Sequence, residues 1–151
     1  MPHPSLALRR LLQRYCFLLL EMQMADSLPL IIVVDDELAI AQGLAYFLED
    51  LGFRVRIATS GKQALAAIEQ EQPVLVITDY MMPQMNGGEL IDAIRSQAAR
   101  THQNAPILLL MSAAHHRAMQ QATADAWFAK PFNLPEVEEL LRRFLPVDER
   151  R

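Results

Sequence analysis

Five short apolar runs punctuate the chain from residue 28 onward: Leu30–Val34, Val55–Ala58, Val74–Thr78, Ile107–Met111 and Trp127–Ala129. They are mostly aliphatic and lack polar alternation, the pattern of strands buried on both faces of a parallel sheet. Between them the spacing turns helical. Ile40, Leu44, Phe47, Leu48 and Leu51 repeat along one helix face, and Gly52 stops them. Ser60 with Gln63 reads as a capping box opening a second helix, with Ala64, Leu65 and Ile68 on one side. Leu90, Ile91, Ile94 and Ala98 mark a third helix, and residues 113–123 a weaker fourth. Asn133 is placed to cap the last, with Pro135 in its first turn and Val137, Leu140, Leu141, Phe144 and Leu145 as its stripe. Five strands alternating with five helices define an α/β doubly wound sheet with helices on both faces.

In such a sheet, function gathers where strands end at their carboxyl side, beside the topological switch point. The first run ends in Asp35-Asp36-Glu37 and the third in Thr78-Asp79, followed by Tyr80-Met81-Met82-Pro83. The fourth ends in Met111-Ser112 and the fifth in Ala129-Lys130-Pro131. One edge thus receives three carboxylates, a hydroxyl and an ammonium. Crowded carboxylates resist ionisation unless a cation joins them. Magnesium suits such an edge, because it keeps several waters and needs few carboxylates. With a lysine and a hydroxyl added, the set can handle a phosphoryl group. Neither Gly-x-Gly-x-x-Gly nor a Walker-type loop is present, so a nucleotide site lacks its usual phosphate cradle.

Bulk properties narrow the field. The 151 residues fit one domain with a little to spare, and 52% hydrophobic with 21% charged residues is ordinary globular usage. A net charge of −4 argues against a dedicated nucleic-acid binder. The lone Cys16 excludes an intramolecular disulfide and suits a reducing cytoplasm. The apolar stretch Tyr15–Leu20 is far shorter than the roughly 20 residues of a membrane span, and no export signal is evident.

Four pieces in order, Val-Val-Asp-Asp-Glu at 33–37, Asp-Tyr-Met-Met-Pro-Gln-Met-Asn-Gly at 79–87, Ser112 and Ala-Lys-Pro-Phe at 129–132, carry a resemblance. Together they resemble the receiver domain of bacterial two-component response regulators, the CheY-like superfamily. The likeness spans residues 30–145. It implies a flavodoxin-like sheet of strand order 2-1-3-4-5 and a receiver over 28–147, with a leader at 1–27 and a tail at 148–151. Carried over by position, Asp79 is the aspartate that accepts a phosphoryl group from a histidine kinase or phosphotransfer protein. Asp36, Asp79 and the backbone carbonyl of Met81 match the direct Mg2+ ligands, and Asp35 the acidic neighbour acting through metal-bound water. Lys130 matches the lysine on the phosphoryl oxygens, and Ser112 the hydroxyl that swings toward them. Pro131 implies a cis Lys130–Pro131 bond, which proline makes inexpensive.

The resemblance also exposes departures. Trp127 stands where receivers usually carry a tyrosine or phenylalanine that turns inward with the Ser112 hydroxyl. Indole is bulkier, so Trp127 is either a switch or a cover for the edge strand. The segment between Ser112 and Lys130 is shorter than the family's and lacks its usual glycine. Met81 and Ala114, two residues beyond Asp79 and Ser112, are apolar where some receivers orient attacking water. Slow self-dephosphorylation is therefore expected.

Each residue also has a plainer reading. Asp35-Asp36 alone would be a turn or helix cap, and Asp79 a strand-end cap. Lys130 is less ordinary, because the chain holds only Lys62 and Lys130 against twelve arginines. His115-His116 are adjacent and face different sides of a helix, so they read as solvated rather than chelating. Met81, Met82, Met85 and Met111 read as packing around the loops.

The leader carries Leu8, Leu11, Leu12, Tyr15, Leu18, Leu19 and Met22 at helical spacing, with Arg10, Gln13 and Arg14 off the stripe. Three readings stand open. It is an amphipathic helix that docks on a partner or a second copy, a membrane-surface helix, or untranslated sequence upstream of Met24. The expected whole is a cytoplasmic phosphoacceptor switch, not a turnover enzyme, that signals by protein contact without touching nucleic acid. Its rivals are an intermediate carrier in a phosphorelay, a pseudo-receiver, and a haloacid-dehalogenase-type phosphatase. The last requires Asp-x-Asp after its first strand, a spacing Asp35-Asp36-Glu37 lacks.

Overall fold

The structure, a computed structural model, describes residues 6–113 and 123–145. Most of the helix expected over 113–123 lies outside them, as do Ala114, His115, His116 and the C-terminal tail. The elements are α1 (Leu6–Ser27), β1 (Leu30–Val34), α2 (Leu38–Asp50), β2 (Arg54–Ala58), α3 (Gly61–Gln70), β3 (Leu75–Asp79), α4 (Gly87–Arg100), β4 (Ile107–Ser112), β5 (Ala126–Ala129) and α5 (Leu134–Phe144). All five strands pair in parallel, in the order β2-β1-β3-β4-β5. Both the fold class and the strand order follow the sequence expectation.

Side chains alternate across each strand, so the central strands β1, β3 and β4 supply two cores. Leu30, Ile32 and Val34 of β1 pack with Val76 and Leu108 against Ala64 and Ile68 of α3 and Leu90, Ile91 and Ile94 of α4. Ile31 and Val33 join Ile77, Leu109 and Met111 against Leu44 and Leu48 of α2 and Val137 and Leu141 of α5. The third-helix and last-helix stripes read from the sequence are thus core-facing.

One expectation needs correction: not every strand is buried on both faces. β1 and β3 are fully buried, whereas β2 is only half-buried over Arg54–Ile57 and β5 exposes Trp127. The strand order makes β2 and β5 the edges, each with a single neighbour. Arg54 and Arg56 can therefore lay their stems on the sheet and reach Glu71 at the end of α3.

The caps also differ in detail. Ser60 Oγ accepts from the Gln63 N–H at 3.2 Å, as the sequence suggested. The Gln63 side-chain oxygen, however, accepts from the N–H and hydroxyl of Thr59, one residue earlier than a capping box requires. A complete box occurs instead at α4, where Asn86 and Glu89 each accept the other's N–H at 2.9 Å. Asn133 caps α5 by accepting from the Glu136 N–H at 2.8 Å, with proline in the first turn. Gly52 ends α2 at φ 95°, a left-handed conformation that glycine adopts without steric cost.

Within the leader, Leu6–Ser27 form one continuous helix, and its described side chains are exposed. Phe17, Leu20 and Met24, which lie off the stripe read from the sequence, are as exposed as Tyr15 and Leu18. Among the described residues no helix is long and apolar enough to cross a membrane.

Candidate functional site

The C-terminal ends of β1, β3, β4 and β5 meet at one edge of the sheet. Parallel register puts Val34 beside Thr78, Asp79 beside Met111, and Ser112 beside Ala129. The residues following each strand therefore converge although up to 95 residues separate them. Asp35, Asp36 and Asp79 bring carboxylate oxygens within 4.8 Å of one another. Asp35 is fully buried, Asp79 is 5% exposed, and Asp36 lies open to solvent.

Lys130 enters this cluster from β5. Its Nζ donates to Asp35 Oδ2 at 2.6 Å and lies 3.2 Å from Asp79 Oδ1. One ammonium therefore serves two buried carboxylates, with a third beside them. Burial lifts the Asp79 carboxyl above its ordinary range; the Lys130 charge pulls it back without cancelling the rise, and Asp35 and Asp36 reinforce it. Burial alone would lower the Lys130 ammonium, but its hydrogen bond to Asp35 and the charges of Asp79 and Asp35 hold it above the usual lysine value. The donor set is hard oxygen with excess negative charge, which fits a small divalent cation. The residues able to hold one are Asp35, Asp36 and Asp79.

Backbone contacts fix each member. The Asp35 N–H donates to Ala58, and Asp35 Oδ1 accepts the Glu37 N–H at 2.9 Å. The Tyr80 N–H donates to the Met111 carbonyl at 2.8 Å, locking the exit of β3 to β4. Ser112 is buried, and its carbonyl accepts the Lys130 N–H at 2.8 Å. The Lys130–Pro131 bond is cis. Met81 follows Asp79 by two residues with its side chain 62% exposed, so it differs from Met82 and Met111, which are buried. Trp127 sits opposite Leu110 in the register and is 47% exposed.

Two contributors carried no role in the sequence reading. Thr78 is buried and its hydroxyl donates to the Asp79 carbonyl at 3.0 Å. Gly87, the first residue of α4, donates its N–H to Tyr80 O at 2.8 Å and lies so close to β3 that a Cβ would stand 2.3 Å from the Asp79 carbonyl oxygen. The sequence signal for this junction was legible as Asn-x-x-Glu at 86–89 before an apolar run, a helix-opening signature.

A doubly wound parallel sheet with an acidic triad and a lysine at its carboxyl edge defines the class: a flavodoxin-like α/β module with a charged site at the strand ends. The family model for the response regulator receiver domain matches residues 31–142, and the chain belongs to that family. Its relatives include the response regulator MprA of Mycolicibacterium vanbaalenii, 37% identical over 125 residues, covering 78% of this chain and 52% of the relative. Response regulator Rre1 of Synechocystis is 33% identical over 130 residues, covering 81% and 53%. The chain thus spans about half the length of these curated relatives. Among solved structures, the chemotaxis protein CheY4 of Vibrio cholerae superposes with a TM-score of 0.70 at 29% identity, over 78% of this chain and 99% of that one. The receiver domain of sensor histidine kinase PA1611 from Pseudomonas aeruginosa, at 23% identity and a TM-score of 0.67, covers 77% of this chain and 96% of its own; it holds a coordinated magnesium ion in its active-site cleft. The chain is therefore a response-regulator receiver domain of two-component signalling.

Proposed function

We propose that Asp79 accepts a phosphoryl group from the phosphohistidine of a kinase or phosphotransfer protein, and that the resulting acyl phosphate switches partner binding. The observation that carries this reading is the buried Asp79 carboxylate flanked by Asp35, Asp36 and Lys130. An Asp79 oxygen attacks phosphorus in line as the phosphorus–nitrogen bond of the donor breaks, and the leaving imidazole nitrogen keeps the electron pair. Mg2+ bound by Asp35, Asp36 and Asp79, with the Met81 carbonyl, would neutralise charge on the transferring group. Lys130 contributes by exchange. Its contact with Asp79 Oδ1 gives way to an incoming phosphoryl oxygen, while the 2.6 Å bond to Asp35 keeps the ammonium in place.

Ser112, buried at the end of β4, brings a hydroxyl to this edge, and its turn toward a phosphoryl oxygen biases the segment that follows. Trp127 on the neighbouring edge strand reports or joins that movement. An apolar cleft beside Lys130, lined by Ile40, Gly43, Leu44, Pro131, Phe132 and Leu134, offers the donor protein a docking surface. The chain acts as a phosphoacceptor in the cytoplasm and not as a turnover enzyme; in a relay it would pass the group onward. Intact-mass analysis with Mg2+ and acetyl phosphate tests the reading. One added phosphoryl group on the wild type and none on Asp79→Asn supports it, and no addition to the wild type overturns it.

A further inference from the structure

We infer that α1 joins a second copy of this chain as an antiparallel two-helix coiled coil. Positions 8, 11, 15, 18, 22 and 25 alternate in steps of three and four, the spacing of a heptad seam, and the sequence fills them with Leu8, Leu11, Tyr15, Leu18, Met22 and Ala25. Tyr15, Leu18 and Met22 are each more than half exposed on a helix of 22 residues. A soluble chain rarely leaves so long an apolar stripe in water, so the seam calls for a partner helix.

Charge selects the partner and its direction. Beside the seam, Arg14 and Glu21 occupy one flank (heptad position g) and Leu12 and Leu19 the other (position e). In a parallel pair each g residue meets the e residue of the following heptad. Arg14 would then face the partner's Leu19, and Glu21 the partner's Asp26, an unpaired cation and a like-charge contact. In an antiparallel pair g meets g and e meets e. Laying the helices flush, with position 6 opposite the partner's position 27, sets Tyr15 at the level of the partner's Leu18 and position 11 at the level of the partner's position 22. On the g flank of the same register Arg14 lies two residues, about 3 Å of helix rise, from the level of the partner's Glu21, within side-chain reach, and on the e flank Leu12 is equally near the partner's Leu19. Two-fold symmetry repeats each contact, so one isologous interface satisfies both charges twice. Full overlap, seam layering and charge pairing agree on a single register. Phe17, Leu20 and Met24 lie on the outer face and stay in solvent.

The test is sedimentation equilibrium on the full chain, unphosphorylated, with circular dichroism to verify folding of each variant. The wild type should sediment at twice the chain mass. Arg14→Glu or Glu21→Arg alone converts two attractions into two repulsions and should weaken the dimer about tenfold. The double reversal Arg14→Glu/Glu21→Arg should restore the wild-type dissociation constant to within about threefold. A single-chain mass at the highest soluble concentration, or a mass above two chains, overturns the proposal. So does a dimer indifferent to both single reversals, which would mark a parallel pair. A monomer that floats with phosphatidylglycerol vesicles would assign the stripe to a membrane surface instead.

Discussion

Replacing Asp79 by asparagine should make the metal-free protein more stable, although it removes a contact to Lys130. Carboxylate oxygens within 4.8 Å of one another repel by at least about 3 kcal/mol per pair at an effective dielectric near 20. The Lys130 contact at 3.2 Å returns about 5 kcal/mol on the same footing. Asp79 faces two such repulsions against one attraction, and the exposed Asp36 is discounted for solvent screening. With burial of the ionised group added, the charge on Asp79 costs the fold about 1–2 kcal/mol. Asparagine keeps the shape without the charge and leaves Lys130 bonded to Asp35.

The pH dependence has a definite sign. Because the Asp79 pKa is raised on folding, the folded state binds more protons than the unfolded state through the carboxylate range. That contribution is fully present below the unfolded pKa and is lost as pH rises through the folded value. The advantage of Asp79→Asn should therefore be absent in acid and grow toward neutrality. Urea denaturation in EDTA, at a series of pH values, measures it as a shift in midpoint at unchanged slope. Added Mg2+ should then stabilise the wild type by mass action and the variant far less, so that their order reverses. A variant less stable than the wild type in EDTA, by the same amount at acid and neutral pH, would refute the charge account of the cluster.

Lys130→Met should leave two buried carboxylates without their ammonium, costing about 3–5 kcal/mol of metal-free stability by urea denaturation and most phosphorylation by acetyl phosphate in intact-mass assays. Gly87→Ala forces a methyl against the Asp79 and Tyr80 backbone, and should cost about 1–3 kcal/mol together with reduced phosphorylation. Gly43 has open space at its Cβ position within α2, so Gly43→Ala should raise stability by about 0.5–1 kcal/mol while leaving acetyl-phosphate labelling unchanged. The acyl phosphate, followed by intact mass after donor removal, should decay slowly because the exposed Met81 offers no polar group to orient water; a half-life of seconds at neutral pH would contradict this.

The order Asp35-Asp36, Asp79, Ser112, Lys130 and the aliphatic runs before them are local facts, and from them the strands, most helices, the fold class and the site membership were legible. Helix stripes such as Val137–Leu141 and the caps at Ser60 and Asn133 were legible for the same reason: spacing and turn chemistry act over a few residues. Other features belong to tertiary structure. Five similar apolar runs do not say which two lie at the edges; pairing decides that, and it leaves β2 half-buried with Arg54 reaching Glu71. Nor does spacing say that Lys130 divides its ammonium between Asp35 and Asp79, or that α4 approaches β3 so closely that Gly87 has no room for a Cβ. Those depend on parallel register and crossover packing, which join residues far apart in the chain at distances only the folded sheet sets.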